Sequence, residues 1–301
     1  VDAIGAMTEI ARLEGDGLEV ELLPELGARL HRVRAFGHDL LRTPPTPDLH
    51  ASDPFFWGGY VMAPWCNRID ATPTAIGGRR LTVATNFPDG SAIHGLVYAR
   101  PWQRTGSGSF RVAGDGDGWP WPYEVTLEAA VGGTTGAAEA ADTAALHLRL
   151  AVTNRSDEPM PAGIGLHPWF VKPVRVGIAA DEVFPRNVAS PARPVPVSGP
   201  YDLRAPGELG PDLDATWSGL HDPPVRLAWP AAGIGAEMAV RASTRYICAA
   251  GTAAISAVAV EPQTHAPQGI RRLLQRQPGG LAWLDPGASL ALEIELSFTR
   301  A

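Results

Sequence analysis

The sequence predicts an all-β protein made of large antiparallel sheets packed face to face. Three observations carry this. First, the dominant hydrophobic period is two: Leu146, Leu148, Leu150 and Val152 share one face of "LHLRLAV", and Leu290, Leu292, Ile294, Leu296 and Phe298 share one face of "LALEIELSF". "LEVELL" at 18–23 alternates in the same way. Alternation of this kind marks half-buried strands. Second, the segments between are dense in turn formers, as in "RTPPTPD", "GDGDGWPWP" and "FPRNVASPARPVPVSGP", and the 33 Gly and 29 Pro are spread along the chain rather than gathered in a linker. Third, no run of about ten residues shows a capped 3.6-residue stripe.

Along the chain, "ELLPELGARLHRVRAFGHDLL" opens with strand-like pieces, and His31 and His38 flank a hairpin-like segment. "YEVTLEAAV" and "LHLRLAVTN" enclose the Ala/Gly/Thr-rich stretch 130–145, which reads as a mobile hairpin loop rather than a domain linker. With no internal repeat and no boundary visible, residues 1–301 are expected to form a single domain. His147 falls on the polar face opposite the leucines and is expected to be solvated.

The formal net charge is −7, which argues against nucleic acid as a partner. No apolar run approaches the roughly 18 residues of a membrane span. No basic segment followed by an apolar stretch opens the chain, so no signal peptide is read and a cytoplasmic location is expected. Two cysteines, Cys66 and Cys248, are too few for a disulfide framework and read as buried small hydrophobes. The chain holds a single lysine, Lys172, among its basic residues, and Arg79 and Arg80 in "GGRRL" read as solvated turn residues.

Four stretches carry candidate chemistry. In "GLHPWF" (165–170), proline biases His167 towards extended backbone, which places it at a strand end or in a loop. The residue alone reads equally as core histidine, metal ligand or proton carrier. In "AIHGLVYARPW", Gly95 lets the backbone beside His94 turn tightly or approach a ligand; without a ligand, His94 is a strand-end histidine capping a loop. In "APWCNRID", Asn67 and Arg68 sit among aromatic and small residues, and the arginine either anchors a carboxylate of the protein or donates to substrate oxygens. In "VAVEPQTHAPQG", Glu261 ends an apolar strand, where a carboxylate is costly unless it is paired or tuned for catalysis. Asp214 in "LDATWSGL" reads alone as a turn aspartate. No histidine pair has short-range zinc spacing and there is no HExxH, so no metal is expected.

Taken together, "GGYVMAPWCNRID", "AIHGLVYARPW", "WPYEVTLEA", "GLHPWF", "LDATWSGL" and "VEPQTHAP" resemble the aldose 1-epimerases, or galactose mutarotases, in order and over nearly the whole chain. The resemblance implies a galactose mutarotase-like supersandwich with no cofactor and a monosaccharide substrate, as a monomer or homodimer. It implies Glu261 as base, His167 as acid, and His94, Arg68 and Asp214 as sugar-binding residues, with Asn67 and Trp169 beside them. Two departures stand out. Gln268 or Gly269 occupies the place of a frequent acidic residue, and Trp169 replaces a commoner tyrosine, which removes a hydroxyl and bears on which sugar is held.

One carboxylate and one imidazole suit mutarotation, in which a base takes the C1 hydroxyl proton and an acid protonates the ring oxygen. His94 would steady charge near the ring oxygen, and Trp169 or Trp65 would stack on the sugar. Other readings are a non-catalytic sugar-binding protein, a mutarotase for phosphorylated or sulfonated hexoses, a metal enzyme using His94 and His167, and a hydrolase or lyase pairing Asp214 with Glu261.

Overall fold

The alternating stretches all form strands. The computed structural model describes residues 8–133, 142–185 and 193–300. Its main strands are β1 (Ala11–Gly15), β2 (Leu18–Leu23), β3 (Arg29–Ala35), β4 (Gly59–Met62), β5 (Ser109–Gly116), β6 (Trp119–Gly132) and β7 (Thr143–Asn154). They continue with β8 (Gly165–Val171), β9 (Arg175–Phe184), β10 (Asp214–Trp229), β11 (Ile234–Arg241), β12 (Tyr246–Gly251), β13 (Ala257–Gln263) and β14 (Ser289–Arg300). With shorter partners they make one curled 17-stranded antiparallel sheet.

The sheet folds over on itself because β10 belongs to both halves. Residues Asp214–Trp217 pair with β12, whereas Val225–Trp229 pair with β11, and β9 runs beside both parts. One half is β5–β6–β7–β14–β11. The other is β1–β2–β3–β4–β8–β13–β12. Their facing sides close the core. Leu127, Leu150 and Leu292 stand abreast across β6, β7 and β14, so one register buries three leucines at once. The opposite face of β7 carries His147, at 34% side-chain exposure and 3.6 Å from Glu295, the solvated position expected.

His31 and His38 do flank a hairpin, turning at Phe36 and Gly37. β6 and β7 pair antiparallel and run into both ends of the Ala/Gly/Thr-rich stretch, so residues 130–132 and 143–145 are strand rather than loop; residues 134–141 lie outside the described residues. Arg79 and Arg80 lie in a small hairpin, with Arg79 paired to Glu158. Both cysteines are buried thiols outside any disulfide among the described residues. The α-helices among the described residues have four and six residues, and none is long and apolar enough to cross a membrane.

Leu150 is 0% exposed in the middle of this register. Leu150→Ala is expected to cost about 2–5 kcal/mol in urea denaturation. A loss below about 0.5 kcal/mol would place Leu150 outside the core.

Candidate active site

Three neighbouring strands break the alternation. β4, β8 and β13 are buried along both faces, apart from a partly exposed Val171 at the end of β8. Val61, Leu166, Phe170, Val258 and Val260 point into the main core. Tyr60, His167, Trp169 and Glu261 occupy the other face, under loops that roof a cleft of about 420 Å³. Seven of the eight residues picked from sequence line this cleft: Asn67, Arg68, His94, His167, Trp169, Asp214 and Glu261.

Register brings the acid and base groups together. Tyr60 is the cross-strand partner of His167, and Cys248 that of Glu261. His167 and Glu261 then meet across β8 and β13, with Nε2 and Oε1 3.3 Å apart. His167 lies within a strand rather than at its end. The expectation failed because Pro168, which has no N–H, is accommodated by a gap in the β8–β13 ladder between Gly165 and Trp169. β13 likewise continues two residues past Glu261, to Gln263.

The pair is dry. His167 is 5% exposed and Glu261 3%. Burial, reinforced by the negative charge of Asp214, pushes the Glu261 carboxyl up to about 8, while a hydrogen bond from the Cys248 thiol and the charge of Arg68 pull it back. Burial lowers His167 to about 3, with Arg68 adding to the effect. The contact at 3.3 Å is therefore between neutral groups rather than ions. At neutral pH the two side chains hold one exchangeable proton between them. His94 is held well below the usual histidine range by burial and then by His167, whose ring centre lies 4.8 Å away.

Loops aim the remaining groups. His94 adopts φ 61° and Gly95 φ 76°. A Cβ on Gly95 would lie 2.0 Å from the Ala63 carbonyl oxygen, so this glycine serves a backbone crossing rather than approach to a ligand. Asn67, also left-handed at φ 55°, donates from Nδ2 to Gln263 Oε1 at 3.0 Å and so fixes its loop to the end of β13. The Gln263 amide in turn donates to the His265 carbonyl at 2.9 Å. His265, fully buried, accepts from the Cys66 N–H at 2.8 Å and donates from Nδ1 to the Ala266 carbonyl at 2.7 Å; it braces the site without entering it.

Arg68 takes up the first of its sequence readings, anchoring a carboxylate of the protein. Its Nε donates to Asp89 at 2.7 Å, its guanidinium lies 5.1 Å from the centre of the Phe87 ring, and it lines the cleft. Trp169 offers only its ring, since its indole N–H donates to the Phe55 carbonyl at 2.6 Å. Trp65 is not a wall of the cleft: it is buried in the core, stacked on Trp119 at 5.3 Å. Sequence reasoning missed Tyr60, Phe55, Phe56 and Phe87, which complete the aromatic lining. The run "PFFWGGY" was the available signal for three of them.

Among the described residues, four buried polar atoms in the cleft lining have no partner: Tyr60 Oη, His94 Nδ1, His167 Nδ1 and Glu261 Oε2. Unmet buried groups are expensive in a finished core and expected where a ligand supplies the partner. The set offers donors and acceptors suited to hydroxyl groups, beside aromatic rings suited to an apolar sugar face. No group of three or more His, Cys, Asp or Glu among the described residues could hold a metal ion.

A curled antiparallel sheet with a buried carboxyl–imidazole pair at an aromatic-lined cleft belongs to the galactose mutarotase-like class of folds. Within that class, the chain matches the aldose 1-epimerase family over residues 10–225 and belongs to it. Solved structures agree in fold. A galactose mutarotase-like protein from Clostridium acetobutylicum superposes with a TM-score of 0.81 at 16% identity, covering 98% of this chain and 96% of its own. An aldose epimerase homologue from C. elegans gives 0.78 at 18% identity, with 98% and 99% covered. A galactose 1-epimerase from Lactobacillus acidophilus gives 0.69 at 16% identity, with 96% and 94% covered. No curated protein sequence matches.

The raised carboxyl has a consequence for stability. A carboxyl whose folded pKa lies near 8 favours folding fully only below the ordinary carboxylate range, and this contribution is lost as pH rises towards 8. Glu261→Gln keeps the shape and removes the titration. The variant is expected to be more stable than the parent at pH 8 by about 1–3 kcal/mol in urea denaturation, with the gap closing towards pH 5. A variant less stable at pH 8 would contradict the assignment of a raised carboxyl.

Proposed function

We propose that the protein is a metal-independent mutarotase that interconverts the α and β anomers of a neutral hexose. The observation that carries this reading is the buried 3.3 Å contact of Glu261 with His167 at the floor of a hydroxyl-binding cleft. Mutarotation requires one proton removed from O1 and one delivered to O5. A pair holding a single proton performs both and is unchanged at the end of the cycle.

In ring opening, the Glu261 carboxylate takes the O1 proton, the C1–O5 bond breaks, and O5 receives the proton of His167. C1 then turns its other face, and closure runs the transfers backwards. In the free protein, burial favours the shared proton on Glu261. That is the protonation state reached after opening. Sugar hydroxyls filling the orphaned positions at Glu261 Oε2 and His167 Nδ1 stabilise the charge-separated form that starts the cycle. His94, neutral, hydrogen-bonds the sugar oxygens, while Arg68 and Asp214 orient the ring and Asn67 fixes the loop that carries Arg68. The Trp169 ring covers an apolar sugar face.

The charge of the cleft favours a neutral sugar over a phosphorylated or sulfonated one. Asp212 and Asp214 line it, and the arginine there, Arg68, already pairs with Asp89. The Arg79–Arg80 hairpin is not part of its wall.

Polarimetry on freshly dissolved α-D-glucose and α-D-galactose in EDTA tests the proposal. The protein should speed relaxation to the same final rotation. Glu261→Gln and His167→Asn should each lose about 10²–10⁴-fold in kcat with the fold retained. Activity should fall above about pH 8, where the pair loses its shared proton. A fully active Glu261→Gln would sink the assignment of that residue.

A further inference from the structure

We propose that the Tyr60 hydroxyl is a further catalytic group, donating a hydrogen bond to O1 of the sugar as Glu261 takes the proton from that oxygen. The inference rests on the mutarotase reading of the cleft.

Tyr60 is fully buried, lines the cleft, and its hydroxyl has no partner. Its ring is held in place. It stacks on His167 with centres 4.7 Å apart and planes 19° apart. The Arg29 guanidinium lies 5.5 Å from its centre. Arg29 is itself immobilised, donating to the carbonyls of Leu26 at 2.9 Å and Tyr98 at 2.9 Å and contacting His50 Nδ1 at 3.0 Å. A ring clamped on two sides cannot swing its hydroxyl to another acceptor. Tyr60 also stands in the cross-strand row that continues through His167 to Glu261. Burial keeps its hydroxyl protonated and therefore a donor, and a Glu261 carboxylate acts in the same direction.

The orphaned atoms are complementary. Tyr60 Oη is a donor in want of an acceptor, and Glu261 Oε2 an acceptor in want of a donor. One sugar hydroxyl satisfies both: it donates to Glu261 and accepts from Tyr60. In the opening step the O1 proton passes to Glu261 and the O–H electron pair becomes the second C1–O1 bond. The C1–O5 pair leaves on O5, which takes the His167 proton. Tyr60 keeps its own proton throughout. Its hydrogen bond stabilises negative charge at O1 as the proton departs, and on closure it polarises C1=O1 for attack by O5.

The test is Tyr60→Phe, which keeps the ring and deletes the hydroxyl. Because the hydroxyl has no partner in the free protein, its loss should leave the melting temperature equal or higher. kcat for mutarotation should fall about 10–100-fold, with KM within about threefold. A structural tyrosine would give the opposite pattern, lower stability at unchanged kcat. Wild-type activity with an unimpaired Tyr60→Phe enzyme overturns the role of Tyr60 alone. A wild type that accelerates no sugar overturns the mutarotase reading, and this inference with it. Should Tyr60→Phe fail to fold, 3-fluorotyrosine at position 60 acidifies the hydroxyl at the cost of one ring hydrogen replaced by fluorine. A changed kcat at pH 7 with KM retained then supports the role, and an unchanged kcat overturns it.

Discussion

A carboxyl and an imidazole touching at 3.3 Å, both cut off from water, constrain everything built around them. Two ions at that depth would each carry a large desolvation cost, and two neutral groups carry much less. The pair therefore resolves to a shared proton, and the surrounding structure decides which atom holds it. Asp214 favours protonated Glu261; Cys248 and Arg68 favour the carboxylate. The opposing influences leave the proton held near the pH at which a reversible transfer is most useful.

Such a contact needs a rigid frame, and the register supplies it. The groups nearest the chemistry come from strands, where cross-strand pairing sets which side chains stand abreast. The loop residues are tied back to the same strands: Asn67 through Gln263, the Cys66 backbone through His265, and the crossing at Ala63 through Gly95. Arg29 does similar work from beneath, joining the carbonyls of Leu26, Pro54 and Tyr98 with no carboxylate bonded to it. Burial lowers it to about 10, which still leaves it a cation at neutral pH.

Much of this was legible in the chain. The leucine alternation of β7 and β14 reported a sheet with one buried face, and the structure has it. Glu261 was conspicuous because a carboxylate at the end of an apolar strand needs a reason. The motif order suggested the grouping of residues more than 70 positions apart, which local pattern alone does not. What stayed hidden followed from burial on both faces. In β4, β8 and β13 alternation disappears, so "GLHPWF" could not show that His167 lies mid-strand, nor "GGYVM" that Tyr60 faces the cleft while Val61 faces the core. Trp65 misled for a related reason: in sequence, a tryptophan stacked in the core looks the same as one offered to a sugar.

The location of the shared proton is the most direct test of this account. Infrared difference spectra between the wild type and Glu261→Gln isolate the Glu261 carboxyl. A shared proton held on Glu261 gives a protonated C=O band at pH 7 that vanishes as pH rises through about 8. A carboxylate band already complete at pH 5 would contradict it, since Glu261 would then be an ordinary ion pair with His167.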